Sequence, residues 1–304
     1  MIKPILHQYQ TSPFSELVRT AFGLKGMAWQ SVIIPNIIPK PDLAELTGGY
    51  ARTPVVQMGA DLYCDTAAIL TAIERLQPEP SLYPPPLGAL HKVMANWAGG
   101  AQFIAHVGVA LGAMPEGALP QGFVDDRKGR FGLDMAALAR ATPHLTTQAL
   151  TAAHWLDASL GDGRAFVGGD APGHADLAFY ANIWFVRGNP FAKVAAAEIF
   201  GLPQLARWYD RVTALGHGTP ETITAADAIA IAAAATPALV TGGVDAPFVA
   251  GQMVAIKTDG SGDAPVVGRL AQSDASGIVI RRTGDRCGDV AVHFPRLGQM
   301  VVVV

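Results

Sequence analysis

The chain has 304 residues, half of them hydrophobic and 15% charged, with a formal net charge of −3. That length exceeds one typical core and suits two or three compact units, and the composition argues against extensive disorder. The only adjacent basic pairs are Arg127-Lys128 and Arg281-Arg282, too few to support nucleic-acid binding.

The chain opens with a strand expected at residues 5–9. Ser12 followed by Pro13 is a helix-start signal, a hydroxyl at the N-cap and proline at the first helical position. Phe14, Leu17, Val18, Ala21 and Phe22 then recur at helical spacing and mark a core-facing stripe. A hydroxyl thus sits where a strand runs into a helix, at the positive end of that helix, a position suited to an anion. The β-branched run at 29–34 reads as a second strand, so strand, helix and strand form a right-handed unit with parallel strands. A proline-punctuated loop at 35–41 carries Lys40, and one or two helical turns are expected at 42–46. Residues 53–58 and 61–64 read as short strands joined by Gly59-Ala60, a tight hairpin of the type II′ kind. Asp65-Thr66 caps the next helix, whose stripe is Ala68, Ile69, Ala72, Ile73 and Leu76.

Pro84-Pro85-Pro86 reads as a linker into a second unit. One long helix is expected over 87–111, containing Trp97, Phe103 and His106. Residues 115–132 read as irregular, and 135–160 as helix broken near Pro143. A glycine-rich stretch from Phe166 leads to Gly173 and Asp176, a glycine N-cap with an acid three residues on, opening an apolar helix at 177–186. A late helix is expected at 202–211, and an alanine-rich helix runs from Ala225 to near Pro237. Five short alternating runs follow between glycine-bearing turns (251–257, 266–270, 277–282, 289–294 and 299–304), which suggests a small antiparallel unit such as an SH3-like barrel.

The strand, the Ser12-Pro13-Phe14-Ser15 turn and the helix resemble the opening of the glutathione S-transferases, within the thioredoxin-like superfamily. Ser12 and Ser15 stand where related members carry two cysteines. Thr53-Pro54 stands where the family has a cis-proline, and Asp65-Thr66-Ala67-Ala68-Ile69 where it has an acid-hydroxyl pair that holds the γ-glutamyl carboxylate of glutathione. Gly-Asp-Ala-Pro-Gly173-His-Ala-Asp176 resembles the family's buried helix cap, with glycine replacing the usual hydroxyl residue. The resemblance covers roughly residues 3–230. It implies an α/β thioredoxin-like N-terminal domain over 1–83 and an all-α transferase domain over 87–236, to which the residues add the small antiparallel β unit at 245–304. It also implies glutathione as co-substrate and pairing into a homodimer, with the hairpin and third helix as its surface.

Read this way, Ser12 is the first choice to donate to the glutathione sulfur, with Ser15 second and Tyr9 an alternative donor. Thr53, Pro54, Asp65 and Thr66 would hold glutathione. Lys40 could reach its glycyl carboxylate, but a solvated loop lysine is the first reading of that position. Tyr9, Trp97, Phe103 and His106 are candidates for the pocket of an apolar electrophile, while core packing also accounts for Trp97 and Phe103. The alternatives are a binding or scaffold protein that keeps the fold without turnover, and another glutathione-dependent enzyme such as an isomerase or dehalogenase. Cys64 and Cys287 fall in different units and suit a reducing cytoplasm, and the eight histidines lack ligand spacing, so no metal site is expected. No signal-type segment or bilayer-length apolar run is evident; the longest candidate, at 225–235, contains Asp227. A soluble, cytoplasmic protein acting on a small molecule is the expectation.

Overall fold

The computed structural model describes residues 3–304. Strand β1 (Ile5–Gln8), helix α1 (Pro13–Leu24) and strand β2 (Ala28–Ile33) form the expected unit, with β1 and β2 parallel and Ile5 opposite Gln30. Helix α2 (Pro41–Thr47) ends on the left-handed Gly48, and strands β3 (Val55–Met58) and β4 (Asp61–Cys64) form the hairpin. Gly59 supplies its positive φ of 65°. Helix α3 (Thr66–Leu76) follows, and the Thr53–Pro54 peptide is cis. Adjacent residues on these strands feed opposite faces, as the period of two requires. Leu6, Val56 and Tyr63 join the core under α1 and α3, whereas Ile5, Val55 and Leu62 join a second core behind α2.

The helical layer departs from the expectation in four places. The rod at 87–111 is two helices, α4 (Leu90–Trp97) and α5 (Phe103–Gly112), joined by a π segment at Ala98–Gln102 where Gly100 takes non-helical angles. The Gly99-Gly100 pair releases the helical restraint there. Within the stretch read as irregular lies helix α6 (Gln121–Phe131), closed by Gly132 at φ 65° with Leu133 N–H bonded to Arg127 O at 3.2 Å. Its inward face mixes Phe123 and Phe131 with arginines, so no apolar stripe announces it. Helix α7 (Met135–Ser159) runs unbroken through Pro143. Gly108 and Gly112 on α5 let Leu145 and Thr142 of α7 approach closely, and that packing outweighs the one hydrogen bond proline removes. Helices α8 (His174–Arg187), α9 (Lys193–Phe200), α10 (Pro203–Thr213) and α11 (Ala225–Ala233) complete the layer, α9 being unexpected. No helix among the described residues is long and apolar enough to cross a membrane.

The five C-terminal runs are strands, as expected. An unexpected exposed strand, β5 (Thr219–Thr222), pairs parallel with β2. Strands β6 (Met253–Thr258), β7 (Val266–Asp274), β8 (Gly277–Gly284) and β9 (Gly288–Phe294) form an antiparallel meander, and β10 (Gln299–Val303) returns beside β6. This unit does not stand apart. β9 pairs parallel with β4, so one ten-stranded sheet runs β10-β6-β7-β8-β9-β4-β3-β1-β2-β5. Val254, Ile256, Leu270, Ile280 and Val292 share the core that holds Ile5, Val55 and Leu62. The outer edge of the hairpin is therefore occupied by the same chain.

The start of α8 explains the glycine at 173. Asp176 is fully buried and accepts from Gly173 N–H at 2.9 Å, Val167 N–H at 2.8 Å and Trp208 Nε1 at 2.8 Å. Burial raises its pKa, and these donors offset part of the rise. The expected buried helix cap is in place. The hydroxyl missing at the N-cap is replaced from elsewhere: Ala175 N–H, the second of the helix, donates to His91 Nδ1 at 3.4 Å. The buried His91 ring lies against Gly173, where a β-carbon would collide with it. His91→Ala should cost about 1–3 kcal/mol and Gly173→Ser a similar amount, but the double variant should lose at least about 1 kcal/mol less than their sum. Urea denaturation of the four proteins measures this, and strictly additive losses would show that the ring does not stand in for a hydroxyl cap.

Candidate functional site

A cleft of about 1640 Å³ opens between the sheet and the helical layer. At its floor is the start of α1. Ser12 caps the helix, accepting from Ser15 N–H at 3.2 Å, and Ser12 N–H itself donates to Tyr9 O at 3.2 Å. Because the hydroxyl uses a lone pair for the cap, its proton stays available. Ser12 borders the cleft together with Tyr9, Thr53, Pro54, Asp65, Thr66 and Lys40, so the fold gathers seven residues singled out in the sequence. Ser15 is fully buried and does not border the cleft, and its Oγ has no hydrogen-bond partner among the described residues.

The turn at Asp65 is strained. Its φ of 76° and ψ of 142° belong to a region that side-chain-bearing residues rarely adopt, at a cost of about 1–3 kcal/mol. The carboxylate accepts from Ala67 N–H at 2.9 Å and so fixes the first turn of α3 in place. Burial raises the Asp65 pKa against the pull of that bond and of Arg52. Behind the floor, buried Glu16 accepts from Arg19 at 2.7 Å, Tyr180 at 3.2 Å and His217 at 3.0 Å. Burial alone would raise the Glu16 pKa, but His217 and Arg19 hold it below the ordinary range. This network ties the first turn of α1 to α8.

Lys40 is buried rather than solvated. Its Nζ donates to Ala51 O and to Thr53 Oγ1, each at 2.8 Å, and lies 6.0 Å from the centre of the Tyr9 ring. Burial lowers its pKa to about 7, and the guanidinium groups of Arg130 and Arg127 add to the effect. Around it stand residues that the sequence reading missed. Arg130 pairs with Asp263 at 2.5 Å, Arg127 pairs with Asp126 and donates to Asn36 O at 2.9 Å, and Arg52 reaches Asp263 at 3.4 Å. Arg127 also lies over Phe123, 4.3 Å from its centre, and 5.4 Å from that of Phe131. The spacing of Phe123, Arg127 and Phe131, four residues apart, was the available signal; Asp263 lies in a turn-rich run that offered none.

The apolar wall begins with Phe14 and Phe103, whose rings are 4.6 Å apart, and continues through Ile104, Val107 and Leu111. Phe103 and Tyr9 belong to it. Trp97 and His106 do not: they line a separate hollow of about 150 Å³ on the other side of the helix pair, where Trp97 packs on Phe179 and His106 bonds Gln102 O at 2.7 Å. Within α5, His106 follows Phe103 by three residues and falls on the side away from the cleft. Cys64 is fully buried and its thiol pKa is raised by that burial, as befits a small core residue. Among the described residues no group of three or more His, Cys, Asp or Glu is placed to hold a metal.

The profile of the glutathione S-transferase N-terminal domain matches residues 6–81. Among solved structures, a GST-like protein from Pseudomonas syringae is similar over 100% of both chains, with 34% identity and a TM-score of 0.80. The Tau class glutathione S-transferase MiGSTU from mango, Mangifera indica, shares 18% identity over 70% of this chain and 89% of its own, with a TM-score of 0.54. The beta-etherase LigF from Sphingobium sp. strain SYK-6 shares 16% over 70% of this chain and 96% of its own, with a TM-score of 0.53. These last two likenesses are of fold. A sequence comparison with curated proteins finds no match.

The lowered lysine gives a pH signature. With an ordinary pKa of 10.5 when unfolded and about 7 when folded, Lys40 binds more protons in the unfolded chain between those values, so stability from this group rises with pH across that window. In urea titrations, the stability of the protein minus that of Lys40→Met should climb by up to about 1.4 kcal/mol per pH unit between about 7 and 10. A difference that stays flat would show that Lys40 is charged at its ordinary strength.

Proposed function

Because this chain belongs to the glutathione S-transferase family, we propose that it binds glutathione in the cleft and activates its thiol for attack on an electrophile. The observation that carries this reading is the Ser12 hydroxyl, set at the positive end of α1, bordering the cleft, with its cap bond made and its proton free. Thr53 and Pro54 would meet the cysteinyl part of the peptide, Asp65 and Thr66 the γ-glutamyl end, and the third N–H of Lys40 the glycyl carboxylate. Tyr9, on the same wall, is the alternative donor.

A free thiol has a pKa of about 8.5. The helix end favours the thiolate by roughly 0.3–1 kcal/mol, and one charge-assisted hydrogen bond adds roughly 1.5–3 kcal/mol. At about 1.4 kcal/mol per unit, the two lower the thiol pKa by about 1.3–2.9 units. The proton leaves to solvent and no general base is required. The sulfur lone pair then forms the new bond to an electrophilic carbon, and the displaced electron pair departs with the leaving group or onto an acceptor that takes up a proton. Phe14, Phe103, Ile104 and Val107 would receive the electrophile's apolar body.

We also read the strand order β10-β6-β7-β8-β9 as an SH3-like barrel fused to the sheet, closing the three-part division at 1–83, 87–236 and 245–304. Pairing into a homodimer belongs to the same proposal, and with the β4 edge taken, its surface would fall on the exposed Leu90 and Val93 of α4. The setting is a reducing cytoplasm.

The test is glutathione binding by calorimetry followed by a pH titration of the bound thiolate's ultraviolet absorbance. The intact protein should show a thiol pKa of about 5.6–7.2, and Ser12→Ala should return it upward by about one unit or more. Ser15→Ala should leave the titration in place. Absence of binding at millimolar glutathione would sink the reading.

A further inference from the structure

We infer that, granted the glutathione reading above, the turn between β8 and β9 presets the end of the cleft that receives the glycyl carboxylate. It grips α2 from behind, with Arg282 as the positioning residue, so that Lys40 stands in place before any ligand arrives. Helix α2 needs such a grip. Its seven residues are too few for a helix that persists unaided, and the two glycines that follow it, Gly48 and Gly49, both have positive φ and give no stiffness to its exit.

The last carbonyls of α2 show where its support comes from. Ala44 O accepts from Gly48 N–H and Leu43 O from the Thr47 hydroxyl, each at 2.8 Å and within the segment itself. Glu45 O and Leu46 O are met instead by a single nitrogen of Arg282, Nη1, the second of them at 3.3 Å. A cation there also suits the negative pole of the helix. The Glu45 carboxylate answers the same turn, its Oε1 accepting from Arg286 N–H at 2.6 Å and Cys287 N–H at 3.0 Å. The fit is close from both sides: a β-carbon at Gly284 would collide with Glu45, and one at Gly48 with Arg282. Leu43 and Leu46 are buried in the second core with Ile280, Cys287 and Val290. The exposed Arg286–Asp42 pair, at 2.9 Å, adds little.

What α2 carries is the lysine of the cleft. Lys40 is its N-cap and accepts from Ala44 N–H at 2.8 Å through its carbonyl, while its Nζ reaches Ala51 O and Thr53 Oγ1 beyond the far end of the helix. Residues 40–53 thus make a closed loop, tied at the neck by Lys40 and gripped in the middle by the β8–β9 turn. Glu45, Arg282, Arg286 and Cys287 do not border the cleft. Arg282 therefore acts on glutathione through α2 and not by touching it.

Glutathione and its glycyl monoethyl ester, which lacks that carboxylate, test this at pH 6, where a Lys40 pKa of about 7 leaves the amine charged. Calorimetry on the full chain should give the ester a Kd about tenfold or more higher, the loss of one charge-assisted hydrogen bond. Arg282→Met should bring that ratio below about threefold while the bound thiol keeps the pKa that Ser12 sets. Arg282→Lys, whose one nitrogen can serve both carbonyls, should restore most of the ratio. A ratio that survives Arg282→Met, even with both ligands weakened together, would overturn this inference alone. Should that variant not fold, hydrogen exchange in the intact protein decides. Without glutathione, the Gly48 amide should exchange at least about a hundredfold slower than in an unstructured chain, and protection gained only on binding glutathione would overturn the inference. A ratio near one in the intact protein would overturn it along with the role given to Lys40. Failure of glutathione to bind at all would overturn it together with the reading on which it rests.

Discussion

The pairing of β9 with β4 is the constraint on which the molecule turns. Ala291 N–H donates to Ala60 O at 3.0 Å, and His293 meets Asp61 at 2.7 Å while stacking on Tyr63 at 4.4 Å. Without it, β4 would be an edge presenting unpaired donors and acceptors. With it, the C-terminal strands extend the thioredoxin-like sheet and bury their apolar face in a core shared with β1, β3 and β4. The loop after β6 is thereby carried to the cleft, where Asp263 meets arginines from two other parts of the chain.

The site is in consequence a composite. Its floor comes from the turn before α1, its strained corner from the turn before α3, and its charged end from α6 and the C-terminal loop. Each contribution rests on a different physical device. Ser12 depends on a helix cap, Asp65 on a backbone held in a costly conformation, and Lys40 on burial among cations. The carboxylate of Asp176 supports the arrangement from a distance by fixing the start of α8, whose Tyr180 reaches back to Glu16 in the first turn of α1.

Much of this was legible in the residues because the signals were local. Ser12-Pro13, Gly59-Ala60 and Asp65-Thr66 are short-range devices whose chemistry needs no distant partner, and each appears where expected. The five C-terminal strands announced themselves by alternation. What failed was what tertiary contact decides. Pro143 reads as a break, yet close packing against Gly108 and Gly112 keeps α7 whole. Trp97 and His106 were grouped with Phe103 as candidates for one pocket, yet they line a separate hollow. α6 lacks an apolar stripe because its inner face is half cationic, and Lys40 reads as a loop lysine because its burial is imposed by residues about ninety positions later. The exchange of a hydroxyl at 173 for a ring at 91 is likewise invisible to a local reading.

The distance along the chain between β4 and β9 carries a consequence for synthesis. The contact between Asp61 and His293 spans 232 positions, so the hairpin emerges from the ribosome long before its partner strand exists. At about 5–20 residues per second, that interval is on the order of ten seconds or more. During it the nascent chain displays an open β edge and an incomplete second core, the features that attract chaperones and invite mispairing. The charged end of the cleft closes last, when the loop bearing Asp263 arrives. A half-made chain therefore has the floor of the cleft at Ser12 in place before it has the charged end that Asp263 completes.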